Sequence, residues 1–430
     1  TRSEEEAGRL ELLGATVVGR RAPLAAALVL ATLAMAAIGS LTALSLMASG
    51  LPAGGSWVFG LGWMLTGLVF AAVAAIAAQV SATSRAATGT ALVVLGAAYV
   101  LRAVGDVRGT AEATSPVGWI SPLGWMEQLR AFAGDRWWVL GLMLLGAVVL
   151  AGAAFVLCDR RDLGAGLVPD RPGPARAAAQ LSMPIGLAAR LSRPLLLGWA
   201  AAYLLLGALL GSIAGDLGPF LSSPAMKDFI ATLGGTDAIA DAFLAMEFGF
   251  VAVFTAAFAV AVTLRLHSEE DSGHAELVLA GAVSRTRWLA AAVVVAVVGS
   301  VVLTVVAALA TGAVTVARSG SWSDLWSVLG GMAVHLPAVG VLAGIVVLLV
   351  GLVPRAAPLA WAVLVGFLLL GELGPLLSLP GWALDLSPFS HVPRLPGAPM
   401  SWPPLLWLLL VSAGLLLAGW AGFRRRDVPA

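Results

Sequence analysis

Residues 3–20 of the chain read "SEEEAGRLELLGATVVGR", and residues 268–285 read "SEEDSGHAELVLAGAVSR". The two charged stretches align without a gap at an offset of 265 residues, and nine of the 18 aligned positions are identical. At the same offset, residues 160–162 and residues 425–427 both read Arg-Arg-Asp. The agreement of both ends at one offset predicts an internal duplication, with one charged segment in each copy.

The composition places these two copies in a membrane protein. Hydrophobic residues make up 60% of the 430-residue chain and charged residues only 11%, whereas soluble domains carry about a quarter charged residues. The formal net charge of +1 and the scattered basic residues argue against a nucleic-acid partner. The single cysteine, Cys158, excludes an intramolecular disulfide and a cysteine-based metal site, and we expect it to be buried.

Ten apolar stretches are long enough to cross a bilayer as helices, which takes about 20 residues each. They run approximately over residues 24–48, 57–80, 87–105, 137–157, 194–215, 242–266, 288–317, 327–353, 358–377 and 405–423. Strict alternation of apolar and polar residues, the pattern of barrel strands, does not occur in them. The predicted fold class is therefore all-α, a polytopic transmembrane helix bundle.

The arginines predict the orientation of this bundle. Most of them collect on one side if both termini lie in the cytoplasm, which is where positive charge is retained during insertion. Several tryptophans, such as Trp119, Trp137 and Trp402, then fall near the outer ends of the spans, where an aromatic belt is expected. The sequence thus predicts a multi-pass protein of the cell membrane with cytoplasmic N- and C-termini.

Because both copies enter and leave on the same side, the duplication is a parallel one, related by a pseudo-twofold axis along the membrane normal. The predicted domains are a first unit at residues 1–157 with four helices and a second unit at 194–430 with six. A cytoplasmic linker at 158–193 joins them and contains a candidate elbow helix in its second half. Since the chain starts inside the first charged segment, we expect two further N-terminal helices, twelve in all; a natural ten-helix protein is the alternative.

Each charged segment has the pattern of a short amphipathic helix beside a long span. Acidic residues open it, which suits the positive end of a helix dipole, and apolar residues such as Leu10, Leu13 and Val17 follow at helical spacing. A plain solvated loop is the alternative interpretation for either copy alone.

The segments resemble the cytoplasmic coupling helix of ABC-2-type exporter permeases. The residues that carry this resemblance are Glu5, Gly8, Glu11, Leu12, Leu13 and Arg20 in the first copy, and Glu270, Gly273, Glu276, Leu277, Val278 and Arg285 in the second. Ser121-Pro122-Leu123 is similar to that family's short outer helix, while the proline-rich Ser387-Pro388-Phe389 departs from it. The fused double unit resembles actinobacterial exporters of polyketide antibiotics.

This resemblance implies a permease that exports a hydrophobic or amphipathic compound, such as an antibiotic, drug or lipid. The only lysine, Lys227, follows a methionine, so the sequence contains no G-x-x-x-x-G-K-[S/T] loop for nucleotide phosphates. The resemblance therefore implies a separate ATPase, expected as a homodimer, that binds ATP and Mg and docks on the twelve coupling residues. The chain itself is not expected to be an enzyme or to hold a cofactor or metal.

Glu247 and His335 lie inside predicted spans, where ionisable groups are costly, and are candidates for the ligand path. No acid, base and nucleophile stand at catalytic spacing. An ion-coupled secondary transporter of hydrophobic small molecules is the alternative function; a membrane-embedded enzyme or scaffold is a third class.

Overall fold

A computed structural model describes residues 2–14, 16–108, 115–162, 164–168, 173–221, 236–374 and 377–426. Only the backbone is described for residues 12–14, 107–108, 212–221, 236–242 and 372. The chain divides into two compact units, Thr1–Pro174 and Ala175–Ala430. The division falls within the predicted linker at 158–193.

Unit 1 is built around one central helix. Its helices are α1 Arg2–Glu6, α2 Arg9–Gly14, α3 Ala22–Ala48, α4 Ala53–Val80, α5 Ser84–Arg108, α6 Pro116–Ile120, α7 Pro122–Gln128 and α8 Trp137–Arg160. Helix α4 packs against α3, α5 and α8. The α3 contact is close because glycines meet there: a Cβ on Gly60 would lie 2.3 Å from the carbonyl oxygen of Gly39.

Unit 2 has the same helix order with additions at its start. After a 3₁₀ turn at Ala179–Ser182 come α9 Pro184–Leu221, α10 Thr236–Asp271, α11 His274–Leu279, α12 Arg285–Ser319, α13 Ser323–Ala333 and α14 Leu336–Leu352. A 3₁₀ turn at Pro354–Leu359, α15 Ala360–Leu373, α16 Gly381–Leu384, a 3₁₀ turn at Pro388–His391 and α17 Trp402–Arg425 complete it. Helix α12 packs against α9, and α14 against α17.

The ten spans and the all-α class are confirmed. Ten helices are long and apolar enough to cross a membrane, and the described ranges contain helices and turns but no strand. One predicted span, at 327–353, is broken: α13 ends at Ala333 and α14 begins at Leu336. Proline at position 337 explains the break, because it has no N–H to donate to the carbonyl of Ala333.

The two halves of the linker have different structures. Residues 185–193, the candidate elbow helix, form the first turns of α9 and continue into the span without interruption. In the first half, the N–H groups of Leu167 and Val168 donate to the carbonyls of Gln79 (3.2 Å) and Val80 (3.0 Å). Glycine at 166 permits this approach, because a Cβ there would lie 2.5 Å from the nitrogen of Ala82. This half is therefore fixed against the end of α4.

The elements after Ser121 and Ser387 differ as their proline content suggests. The Ser121 hydroxyl donates to the carbonyl of Ala98 (2.6 Å) and accepts from the N–H of Leu123 (3.3 Å), which caps α7. Its counterpart in unit 2, Ser387, is followed only by the 3₁₀ turn at Pro388–His391. The short helix predicted on Ser121 is present, and the proline-rich copy has no regular α-helix there.

Candidate functional site

The charged segment has the same backbone in both units. A helical piece ends at a glycine with positive φ, and a second short helix follows; we call residues 2–14 and 267–279 the charged corners. Gly8 (φ 71°) and Gly273 (φ 73°) occupy equivalent positions, 265 residues apart. No atom lies within 4 Å of a Cβ built on either glycine, so backbone conformation rather than space requires glycine there.

In unit 1, the corner is fixed by a buried ion pair. Arg161, just after α8, donates from Nη1 to Oε2 of Glu5 (2.8 Å) and from Nη2 to Oε1. The side chains of Glu5 and Arg161 are each only 7% exposed, and Arg2 also pairs with Glu5. Burial alone would raise the pKa of Glu5, but the hydrogen bonds and charges of Arg161 and Arg2 outweigh it and lower that pKa. Glu5 is therefore held as a carboxylate.

Unit 2 repeats this pair. Nη2 of Arg426 donates to both carboxylate oxygens of Glu270 at 2.5 Å, and the two side chains are 14% and 3% exposed. Both pairs join residues 156 positions apart. Glu270 and Arg426 are thus the counterparts of Glu5 and Arg161 at the single offset of 265 residues. The duplication preserves the interaction as well as the residues.

The surroundings of the two arginines differ. Nε of Arg161 donates to Oε1 of Gln79 (2.6 Å), and Nη1 also donates to the carbonyl of Ala165 (3.0 Å). In unit 2, leucine at 349 takes the place of Gln79, and among the described residues Nε of Arg426 has no hydrogen-bond partner. Instead, the guanidinium of Arg426 stacks over the ring of Phe423, 4.9 Å from its centroid. The position of Phe423 corresponds to Cys158, which is buried as expected.

A second contact links the corner to the α4–α5 turn in unit 1. The Glu6 carboxylate accepts from the backbone N–H of Ser84 (3.0 Å) and from its hydroxyl, which caps α5. The Ser84 hydroxyl, then its N–H, lowers the pKa of Glu6. In unit 2, proline at 354 takes the place of Ser84 and has no N–H. The residue equivalent to Glu6, Asp271, contacts Nε2 of His267 at 3.3 Å.

The twelve residues predicted to couple to an ATPase fall into two groups. Glu5 and Glu270 are buried in the ion pairs, and Gly8 and Gly273 shape the turn. The side chains exposed at the surface are Glu11, Arg20, Glu276, Leu277 and Arg285, with Leu277 78% exposed and Val278 half-buried. The side chains of Leu12 and Leu13 lie outside the described part of the structure. A docking surface, if formed here, therefore consists of the second short helix and the residues after it.

The two candidate ligand-path residues lie away from the corners. Glu247 is half-buried near the far end of the apolar part of α10. His335 is buried at the break between α13 and α14, where its Nδ1 donates to the carbonyl of Gly331 (3.0 Å). Among the described residues, no three His, Cys, Asp or Glu side chains are grouped so that they could hold a metal.

Sequence reasoning did not find the Glu–Arg pairs. Each segment containing Glu5, Arg161, Glu270 or Arg426 was recognised as repeated, but no contact between the two ends of a unit was inferred. The available signal was the shared offset: an acid and a base that recur together at both ends of a duplicated unit are candidates for a mutual contact.

Comparison with known proteins places the chain in a family. The family model described as "Multidrug efflux system permease Rv1217c, C-terminal domain" matches residues 181–424. The multidrug efflux system permease protein Rv1217c of Mycobacterium tuberculosis (strain ATCC 25618 / H37Rv) is 46% identical over 431 residues, which cover 100% of this chain and 78% of the relative. The chain belongs to the Rv1217c family of multidrug efflux system permeases.

Proposed function

We propose that this permease is the membrane subunit of an ATP-driven exporter of the ABC-2 type, and that a separate ATPase docks on the two charged corners. The observation that carries the proposal is the repeated corner itself, in which one acid is buried in an ion pair and the next helix is exposed. Glu11 in α2 and Glu276 in α11 are the equivalent exposed acids. A matched pair of exposed sites suits a homodimeric ATPase.

In this mechanism each corner transmits movement to the last helix of its own unit. Pressure on α2 or α11 acts next to the glycine turn, and the Glu5–Arg161 or Glu270–Arg426 pair connects that turn to the end of α8 or α17. A buried ion pair resists separation because each charge left alone would be desolvated without a partner. Movement of the corner is therefore passed to the span rather than lost in a loop.

The proposed orientation places both corners and both termini in the cytoplasm of the cell. The asymmetric distribution of arginine supports it, and so does the position of both corners at the arginine-rich ends of their units. The related permease is named for multidrug efflux. We propose that the exported compounds here are hydrophobic or amphipathic as well, with an antibiotic, drug or lipid as the cargo, since the spans offer mainly apolar surface.

Purification from the native membrane in mild detergent tests the proposal. We expect a co-purifying protein that hydrolyses ATP, with two ATPase chains for each permease. In vesicles containing the complex, Glu11→Ala with Glu276→Ala should leave ATP hydrolysis in place but reduce dye export about tenfold or more, since the docking contacts are removed. Asp385→Ala, which removes an exposed acid at the opposite end of unit 2, serves as the matched control.

Two outcomes would contradict the proposal. Unchanged coupling in the double variant would remove the corners from the mechanism. Export that needs no ATPase and stops when the proton gradient is dissipated would instead identify an ion-coupled secondary transporter.

A further inference from the structure

Unit 2 contains a cavity of about 390 Å³ at the break between α13 and α14. Helices α10, α12, α14 and α17 surround it. Its walls include Ser300, Val301, Ala333, Pro337, Gly340 and Ser412. None of the thirteen residues that line it is charged. The volume lies in the range of small-molecule sites, which occupy about 300–1,000 Å³.

The polar groups in the cavity wall are hydrogen-bond acceptors. The Ser300 hydroxyl donates to the carbonyl of Ala296 (2.8 Å), so its oxygen keeps lone pairs that can accept. The carbonyl of Ala333 cannot receive the helical hydrogen bond from position 337, because that residue is proline. A break in a helix at the middle of a span exposes backbone acceptors of this kind, which serve as ligand contacts in other transporters.

Unit 1 fills the equivalent space. Met35 occupies the position that corresponds to Ser300, and Gly67 the position that corresponds to Pro337. The Met35 side chain packs against Gly67 so closely that a Cβ on the glycine would lie 2.2 Å from the Met35 sulfur. Helix α4 also passes this point without a break. The same place in the fold thus holds an apolar side chain in one unit and an open cavity in the other.

We propose that the cavity of unit 2 binds an uncharged lipophilic small molecule that carries an N–H or O–H donor. The apolar side chain in unit 1 indicates that the space suits apolar matter, and the two acceptors define the polar group that fits. An ionised ligand is disfavoured because its charge would have no counter-ion in the wall. The proposal deepens the export function proposed above, on which it rests, by naming a ligand class and a site within one unit.

The test uses N-phenyl-1-naphthylamine, an uncharged aromatic probe with one N–H group, whose fluorescence rises in apolar surroundings. Binding is measured on the full chain in lipid nanodiscs, with empty nanodiscs subtracted. We expect saturable binding that Ser300→Met weakens about tenfold or more, because the methionine fills the cavity as Met35 does in unit 1. Val298→Met, on an exposed face of the same helix outside the cavity, should leave binding unchanged.

A second variant covers the case in which Ser300→Met fails to fold. Ser300→Cys is made in a Cys158→Ala background and modified with a methanethiosulfonate after the protein has folded. We expect the probe to slow this modification and the modified protein to lose binding. Equal binding by all variants, absence of protection, or a phospholipid retained at the site that the probe does not displace would overturn the proposal.

The outcome is separable from that of the export mechanism. If dye export depends on an ATPase while Ser300→Met neither weakens binding nor reduces export, the cavity is not the site and the proposed function stands. If no ATPase is involved but the probe binds and Ser300→Met abolishes binding, the site stands and the coupling mechanism fails.

Discussion

The two charged corners are copies of one device supported in different ways. Glu5 with Arg161 and Glu270 with Arg426 form the same buried pair. In unit 1, Gln79 and the carbonyl of Ala165 satisfy the rest of the guanidinium, whereas in unit 2 an aromatic ring covers it and its Nε remains unpaired in the described structure. The comparison shows that the acid–base contact and the glycine turn define the corner, while its supports can change.

The largest expected effect comes from removing the arginines. Arg161→Ala should destabilise the protein by about 3–5 kcal/mol, because it leaves Glu5 buried and unpaired. Arg426→Ala should cost less, since fewer contacts are lost in unit 2. Unfolding in detergent, followed by tryptophan fluorescence, measures both. The exchange Glu5→Arg with Arg161→Glu should recover part of the loss; equal losses for both arginines would show that the supports do not matter.

Exchange of the supporting residue sharpens the comparison further. Gln79→Leu gives unit 1 the residue of unit 2 and should cost about 1–3 kcal/mol, because it leaves Nε of Arg161 buried without a partner. Leu349→Gln is the reciprocal change and should be neutral or stabilising, since it offers Nε of Arg426 an acceptor. The same unfolding measurement applies. Destabilisation by Leu349→Gln would mean that the ring of Phe423 already satisfies the guanidinium.

The glycine turns should respond equally in the two units. Gly8→Ala and Gly273→Ala should each cost about 1–2 kcal/mol, because both positions have positive φ that a Cβ disfavours. Gly89→Ala is the control: this residue lies inside α5 with no atom within 4 Å of the added Cβ, and alanine is the better helix former. Thermal unfolding of the three variants, measured side by side, decides the point. Tolerance at only one of the two turns would show that the corners are not equivalent.

The smallest expected effect concerns the start of the helix after each corner. The Ser284 hydroxyl accepts from the N–H of Arg287 (3.3 Å) and caps α12, whereas its counterpart Gly19 has no side chain to cap α3. Ser284→Ala should therefore cost about 1 kcal/mol. Ser49→Ala, which removes an exposed hydroxyl bonded within its own helix, is the control and should be nearly neutral. A loss no greater than that of the control would show that this cap is not formed.

Apolar run length was enough to predict the ten spans, because a helix in lipid must satisfy its own backbone. The repeated charged segment predicted where the corners lie. The break at Val334 and His335 was missed since hydropathy continues through it, although Pro337 was a local signal. The ion pairs were missed because charge patterning along one helix reveals neighbours a few positions apart, whereas Glu5 and Arg161 meet only through the packing of α4 and α8.

The 156-residue separation within each Glu–Arg pair has a consequence for biosynthesis. The acid emerges from the ribosome at the beginning of a unit, and its arginine emerges only after the unit's last span. Each corner therefore stays open while the intervening helices are inserted, and it closes only when they are in place. Since both partners belong to the same unit, the first half of the protein can complete this step before the second half has been translated.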